Sequence, residues 1–208
     1  MHIAIPLYEG YDAMDALGPY FVLRNVPGAT VTFVAERLGV VADEDATLTA
    51  TASFAELPAP DVLVVPGTKK IEQSMADQEL IHYVKTAHAT TTWTTSVCVG
   101  SLTLGAAGLL EGVRATTHWA AHDLLGQFGA QPVAGVRFVE DGKIITSGGV
   151  LAGVDMALHL ACLLAGEDTA MAIQLGLEYA PKPPFDAGTP ESAPAKITEL
   201  VRSLLRGS

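Results

Sequence analysis

A cysteine, Cys98, lies between a β-branched run and a run of small residues in the segment TTSVCVGSLTLGAAG. Ser96 stands two positions before it and Gly100 two positions after it. A nucleophile held on a tight strand-to-helix turn needs such small neighbours. A free cysteine is more often a small buried hydrophobe. The strand-turn-helix context nevertheless favours a nucleophile here.

The helix predicted after Cys98 supports that role electrostatically. The positive end of a helix dipole favours a thiolate, and the backbone amides of Val99 and Gly100 are candidates to bind a developing negative charge. The second cysteine, Cys162, has no comparable context because it falls within an apolar helical stretch. We therefore assign Cys162 to the core.

Two further segments carry candidate site residues. Asp12 and Asp15 follow the first predicted strand within one helical turn, where the ordinary interpretation is a helix cap at Asp12 with Asp15 in the first turn. Gly67 ends the apolar run DVLVVPG, and Thr68 follows it. A glycine at a strand end lets a ligand approach the backbone and offers one more amide donor, although a simple turn explains it equally well.

The histidines give a weaker signal. His118 follows a short predicted strand, where it is either a base for Cys98 or a hydrogen-bonded, partly buried side chain. His118 and His122 have helical spacing, but HWAAH lacks the glutamate of a zincin motif, so no metal site is predicted. No GxGxxG or Walker A motif occurs either, so nucleotide binding has little support.

The elements that must position these residues alternate between strand and helix. Strands are predicted at HIAIPLY, VTFVAE, DVLVVPG and TTWTTSVC, and the continuous apolar run of the third is typical of a strand buried on both faces. Gly18-Pro19 predicts an interrupted helix, and Asp141-Gly142 the turn of a hairpin. The fold class is thus α/β, a doubly wound, mostly parallel sheet with helices on both faces. Such sheets bind ligands beyond the carboxyl ends of their strands.

Composition and charge narrow the class of protein. The 208 residues, 49% of them hydrophobic, suit one domain over 1–208, in which 179–208 form a Pro-rich tail and a final amphipathic helix. A net charge of −11 argues against nucleic-acid binding. Two cysteines and no secretion signal favour the cytoplasm. The apolar stretch GVLAGVDMALHLACLLAG contains Asp155 and His159, which predicts a core helix and no membrane span.

Six segments, taken in order, resemble the ThiJ/PfpI superfamily: DALGPY, LVVPG, SVCVGSLTLGAAGLL, RATTHW, DGKIITSGGVLAGVD and LEYAPKPPFDAG. The last of them is similar to the isonitrile hydratase branch. The resemblance implies a flavodoxin-like sheet, a homodimer, a nucleophilic Cys98 and an acidic Asp15 beside its sulfur. It also implies a hydro-lyase that adds water to a small isonitrile, R-N≡C. Attack by a thiolate, with a carboxyl group as acid and base, requires no metal or organic cofactor for this reaction. The chain departs from the branch at Val99, where the branch has a threonine.

Other activities of related folds stay open at this point. They include glyoxalase-type, peptidase and chaperone activity, and a peptidase would need His118 as a base beside Cys98. The module also resembles the sensor half of AraC-type regulators, but the acidic chain lacks basic recognition helices. A stand-alone redox sensor with an oxidisable Cys98 is a further alternative.

Overall fold

A seven-stranded sheet forms the centre of the computed structural model, which describes residues 1–43 and 46–206. The described strands are β1 (His2–Pro6), β2 (Thr30–Ala35), β3 (Gly39–Asp43), β4 (Ala46–Ala50), β5 (Ala52–Ser53), β6 (Val62–Val65), β7 (Trp93–Ser96), β8 (Arg114–Ala115), β9 (Gln131–Pro132), β10 (Phe138–Asp141) and β11 (Ile144–Ser147). The central sheet has the order β10-β11-β7-β6-β1-β2-β5, and every pairing in it is parallel except that of β10 with β11. β3 with β4, and β8 with β9, form two small additional sheets.

Helices flank the central sheet. The described helices are α1 (Ala13–Leu23), α2 (Ile71–Ala76), α3 (Gln78–Thr90), α4 (Gly100–Ala106), a 3-10 helix (Trp119–Phe128), α5 (Ala152–Ala165), α6 (Glu167–Gly176) and α7 (Ala195–Arg206). The α/β fold class predicted from the alternation of patterns is therefore confirmed. All four residues of β6 are fully buried, as expected for a strand that helices cover on both faces.

The interruption predicted at Gly18-Pro19 is wrong, because α1 continues through Pro19 from Ala13 to Leu23. Proline removes one backbone donor from a helix, so packing must outweigh that loss. Gly18 lies against α5, where an added Cβ would stand 3.2 Å from a methyl group of Val154. On the other side, Leu23 is fully buried in the core. Tertiary packing thus holds α1 in place despite the local sequence.

The hairpin of β10 and β11 is present, with its turn one residue later than predicted. Asp141 pairs with Ile144, which leaves Gly142-Lys143 as the two turn residues. Gly142 has φ +58°, a conformation that glycine adopts without strain. The Asp141 carboxylate accepts a hydrogen bond from the amide of Arg114 at 2.8 Å, which explains why this acidic residue stays in the strand.

The apolar stretch that predicted a core helix forms α5, which buries one face. Leu160 and Ala161 are fully buried, whereas Leu163 is 42% exposed. Cys162 lies between the two faces and is only partly buried, so its assignment to the core is wrong. No helix among the described residues is long and apolar enough to cross a membrane.

Gly100 starts α4 and lies directly against the end of β6. A Cβ at this position would stand 2.7 Å from the carbonyl oxygen of Pro66 and closer still to that of Val65. We expect Gly100→Ala to lower the free energy of unfolding by about 1–3 kcal/mol, because backbone atoms cannot rotate out of the way. Urea unfolding measures this loss. The matched control is Gly126→Ala, where a Cβ meets nothing within 4 Å. Equal stability of the two variants would contradict the close approach.

Candidate active site

Cys98 occupies the turn between β7 and α4 with φ +56°. A positive φ is uncommon in a residue other than glycine and costs free energy. Three hydrogen bonds hold the backbone of Cys98 in this conformation. Its amide donates to the carbonyl of Gly148 at 2.9 Å, and its carbonyl accepts from the hydroxyls of Thr117 at 3.0 Å and Ser101 at 3.3 Å. The tight strand-to-helix turn predicted from the small neighbours is therefore present.

The two acidic residues at the start of α1 have different environments. Asp12 is the N-cap, and its Oδ1 accepts a hydrogen bond from the amide of Met14 at 2.9 Å. Asp15 is fully buried, and its Oδ2 accepts a hydrogen bond from the amide of Gly67 at 2.9 Å. Capping thus accounts for Asp12. Asp15 instead points inward to the end of β6.

Gly67 is the point where Asp15 and Cys98 converge. A Cβ added to this glycine would stand 2.6 Å from Oδ2 of Asp15, 2.9 Å from Cβ of Cys98 and 3.0 Å from the amide nitrogen of Val99. Any larger residue would therefore collide with the carboxylate and with the cysteine turn together. The requirement for glycine is steric, and the structure brings the carboxylate and the thiol to one place.

The thiol of Cys98 keeps its proton more strongly than an ordinary cysteine. Burial raises its pKa, the charge of Asp15 raises it further, and hydrogen bonds from the amides of Val99 and Val150 lower it only in part. The helix dipole was expected to favour the thiolate, but the desolvation of the buried sulfur has the larger effect on its pKa. The raised pKa therefore favours the protonated thiol.

The three amides predicted as anion donors have different partners. The amide of Gly100 donates to the carbonyl of Val97 at 2.9 Å, and that of Gly67 donates to Asp15. Hydrogen bonds from the amides of Val99 and Val150 are the two effects that lower the pKa of the Cys98 thiol. Sequence reasoning missed Val150 because it lies far along the chain, and the preceding Gly148-Gly149 pair was the only local signal.

Thr68 and Val99 both lie in packed surroundings. Thr68 is buried, and its hydroxyl donates to the carbonyl of Gly10 at 2.5 Å while accepting from the amide of Lys70 at 2.8 Å. This side chain joins the loop after β6 to the loop after β1. Val99 is 5% exposed and belongs to the hydrophobic core. The position at which this chain departs from the expected threonine is therefore a packed one.

His118 is the N-cap of the 3-10 helix, and its Nδ1 accepts a hydrogen bond from the amide of Ala120 at 3.3 Å. The ring packs against Gly149, where an added Cβ would stand 2.8 Å from Cδ2. Burial lowers the pKa of the imidazole, which favours its neutral form. These contacts match the hydrogen-bonded, partly buried histidine. Over residues 1–43 and 46–206, no group of three or more His, Cys, Asp or Glu side chains is arranged to hold a metal ion.

The fold and this cysteine turn together define a class of protein. The chain belongs to the DJ-1/PfpI family, whose family model matches residues 1–162.

Two comparisons describe the similarity more closely. The chain is 44% identical over 203 residues to a Pseudomonas putida protein named isonitrile hydratase, covering 97% of this chain and 89% of that protein. The crystal structure of a ThiJ/PfpI family protein from Pseudomonas syringae is 37% identical with a TM-score of 0.95, and the match covers 99% of this chain and 86% of that one. Drosophila melanogaster DJ-1beta shares the fold at 22% identity, with a TM-score of 0.77 over 86% of this chain and 98% of that one.

The charge of Asp15 gives a testable pH dependence of thiol reactivity. Because this charge raises the pKa of the Cys98 thiol, Asp15→Asn is expected to lower that pKa and to move the alkylation profile to lower pH. We would measure the rate of iodoacetamide alkylation against pH in a Cys162→Ser background, where Cys98 is the only thiol. Asp12→Asn is the control, because the charge of Asp12 has the smallest of the effects that raise this pKa. A profile that stays in place or moves to higher pH in Asp15→Asn would contradict the coupling.

Proposed function

We propose that this protein is an isonitrile hydratase, a lyase that adds water to R-N≡C to give an N-substituted formamide. The observation that carries the proposal is the pairing of Asp15 with Cys98 around Gly67. The near full-length similarity to the Pseudomonas putida relative supports the choice of substrate. Cys98 and Asp15 are the proposed catalytic residues, and the substrate is a small molecule.

The first step forms a covalent bond to sulfur. Asp15 takes the proton of the Cys98 thiol, and the thiolate attacks the terminal carbon of the isonitrile. Asp15 returns that proton to the same carbon, which leaves a thioimidate, R-N=CH-S-Cys98, and a carboxylate. The amides of Val99 and Val150 stabilise the thiolate while it exists, since both donate toward the sulfur.

The second step consumes one water molecule. The carboxylate of Asp15 removes a proton from water as the oxygen attacks the thioimidate carbon, and this proton passes to the nitrogen. In the resulting adduct, one carbon carries N-H, O-H and sulfur substituents. The carbon–sulfur bond then breaks, and the hydroxyl proton returns through Asp15 to the sulfur. The formamide leaves with the thiol restored, so the acid and the thiol titrate as a pair that shares one proton. The chemistry requires no metal or organic cofactor.

We also propose that the protein is a cytoplasmic homodimer and that 1–208 form one domain. Exposed apolar side chains on α1 support the dimer, because Met14 and Phe21 are each 48% exposed. Both cysteines are free thiols, which suits a reducing compartment. Light scattering of the purified protein measures the oligomeric state directly.

Turnover of cyclohexyl isonitrile tests the proposed activity. Cys98→Ala should abolish formamide release, because the covalent route has no nucleophile without it. Asp15→Asn should lower kcat by about 10²–10⁴-fold, since general acid–base groups contribute in this range. Asparagine has nearly the same shape and keeps an oxygen that can accept the hydrogen bond from Gly67, so a purely structural Asp15 predicts little change.

Cys162→Ala is the matched control and should keep the activity of the unmodified protein. Gas chromatography or mass spectrometry of N-cyclohexylformamide gives the rates. Absence of turnover in the unmodified protein, or full activity in Cys98→Ala, would overturn the proposed function.

A further inference from the structure

Tyr8 is a buried phenol beside the active site that the proposed reaction does not use. It follows β1 in the loop that leads to α1 and is 6% exposed. Its hydroxyl donates a short hydrogen bond, 2.6 Å, to the carbonyl oxygen of Pro66. A buried tyrosine hydroxyl usually has such a partner, so the partner by itself does not indicate a function. The position of the accepting carbonyl does.

The carbonyl that Tyr8 contacts belongs to the same peptide group as the amide that binds Asp15. The group joins Pro66 to Gly67. Its oxygen accepts from Tyr8 at 2.6 Å, and its N–H donates to Oδ2 of Asp15 at 2.9 Å. A peptide group is planar and conjugated, so a donor on the oxygen polarises the N–H and strengthens the bond that the N–H gives. The phenol is thereby linked to the carboxylate through one rigid unit.

The phenol is always available as a donor at ordinary pH. Burial raises the pKa of Tyr8 well above its usual value, and the charges of Asp15 and Cys98 raise it further, while a contact with the Thr103 hydroxyl lowers it in part. These effects also show that Tyr8 lies within electrostatic range of both proposed catalytic groups. Asp12, at the start of α1, also raises the pKa of both Tyr8 and Cys98.

We propose that Tyr8 is a positioning residue for Asp15, which it orients and stabilises as a carboxylate through the Pro66–Gly67 peptide group. Its catalytic consequence rests on the proposed function. Its effect on the thiol does not, because the charge of Asp15 raises the pKa of the Cys98 thiol whatever the substrate is.

The direction of the effect follows from this electrostatic coupling between Asp15 and Cys98. A weaker hydrogen bond from Gly67 leaves the carboxylate less stabilised, so the proton moves from sulfur toward Asp15. More of the pair then exists as thiolate and carboxylic acid, and Cys98 alkylates faster at neutral pH. In the hydration reaction, a less well oriented Asp15 lowers kcat, because the phenol acts on the carboxylate through the Pro66–Gly67 peptide group.

The experiment compares Tyr8→Phe with Tyr83→Phe. Tyr83 is also buried, and its hydroxyl also donates to a backbone carbonyl, that of Leu57 at 3.0 Å. Burial alone raises the pKa of Tyr83, so no charge of the site acts on it. Both variants delete one buried hydroxyl and should lose similar stability in urea unfolding. Only Tyr8→Phe should alkylate about three- to tenfold faster at pH 7 and lower kcat for cyclohexyl isonitrile by a similar factor.

A third variant separates positioning from a general structural effect. Adding Tyr8→Phe to Asp15→Asn should leave the alkylation rate of the Asp15→Asn protein unchanged, because the phenol acts only through the carboxylate. Equal alkylation of the Tyr8 and Tyr83 variants, or an undiminished Tyr8→Phe effect in the Asp15→Asn background, would overturn the proposal. If the unmodified protein hydrates no isonitrile, the proposed function fails, while the alkylation rates still decide the role of Tyr8.

Discussion

The hydrogen bond from the amide of Gly67 to Asp15 is the interaction on which the candidate site depends. A carboxylate taken out of water is costly unless it gains hydrogen bonds in return, and Asp15 is fully buried. The bond at 2.9 Å holds this group where the thiol of Cys98 can reach it. Sheet order makes the meeting possible. β7, β6 and β1 are consecutive neighbours in the parallel part of the sheet, so the segments that follow them emerge at one edge.

The conformation of Cys98 shows how the surrounding fold supports the site. Gly148, the residue after β11, and Thr117, just before the 3-10 helix, hold this positive φ through hydrogen bonds. Gly148 in turn donates to the carbonyl of Arg137 at 2.9 Å, which connects the cysteine to the hairpin edge of the sheet. Two residues after Gly148, the amide of Val150 provides a hydrogen bond that lowers the pKa of the Cys98 thiol. The loop after β11 thus holds the backbone of Cys98 in its positive-φ conformation and partly offsets the desolvation of its sulfur.

The sequence predicts the fold well because periodicity and turn chemistry are local properties. The buried run that became β6 and the small residues around Cys98 required no knowledge of distant contacts. The site depends on distant contacts, and there the prediction is incomplete. The sequence predicts the cap at Asp12 but gives Asp15 only an ordinary first-turn position, and the neighbouring strand end shows that Asp15 is held inward by Gly67. The continuous helix through Pro19 was missed for the same reason, because it depends on packing against the distant helix α5.

The resemblance of six segments to a known superfamily supplied what local patterns could not, namely the pairing of Cys98 with Asp15. The geometry around Gly67 gives that pairing a physical basis of its own. It also adds residues that the resemblance did not include. Val150 reaches the sulfur from a distant loop, and Tyr8 reaches the carboxylate through a single peptide group.

The covalent thioimidate is the central claim, and rapid-quench mass spectrometry tests it most directly. Protein mixed with excess cyclohexyl isonitrile and quenched within the first turnovers should carry an added mass of one isonitrile molecule, located on the peptide that contains Cys98. In Asp15→Asn the adduct should form more slowly, because the same carboxyl group transfers the proton that completes the thioimidate. Formamide production with an unmodified Cys98 peptide at every quench time would contradict covalent catalysis by this thiol.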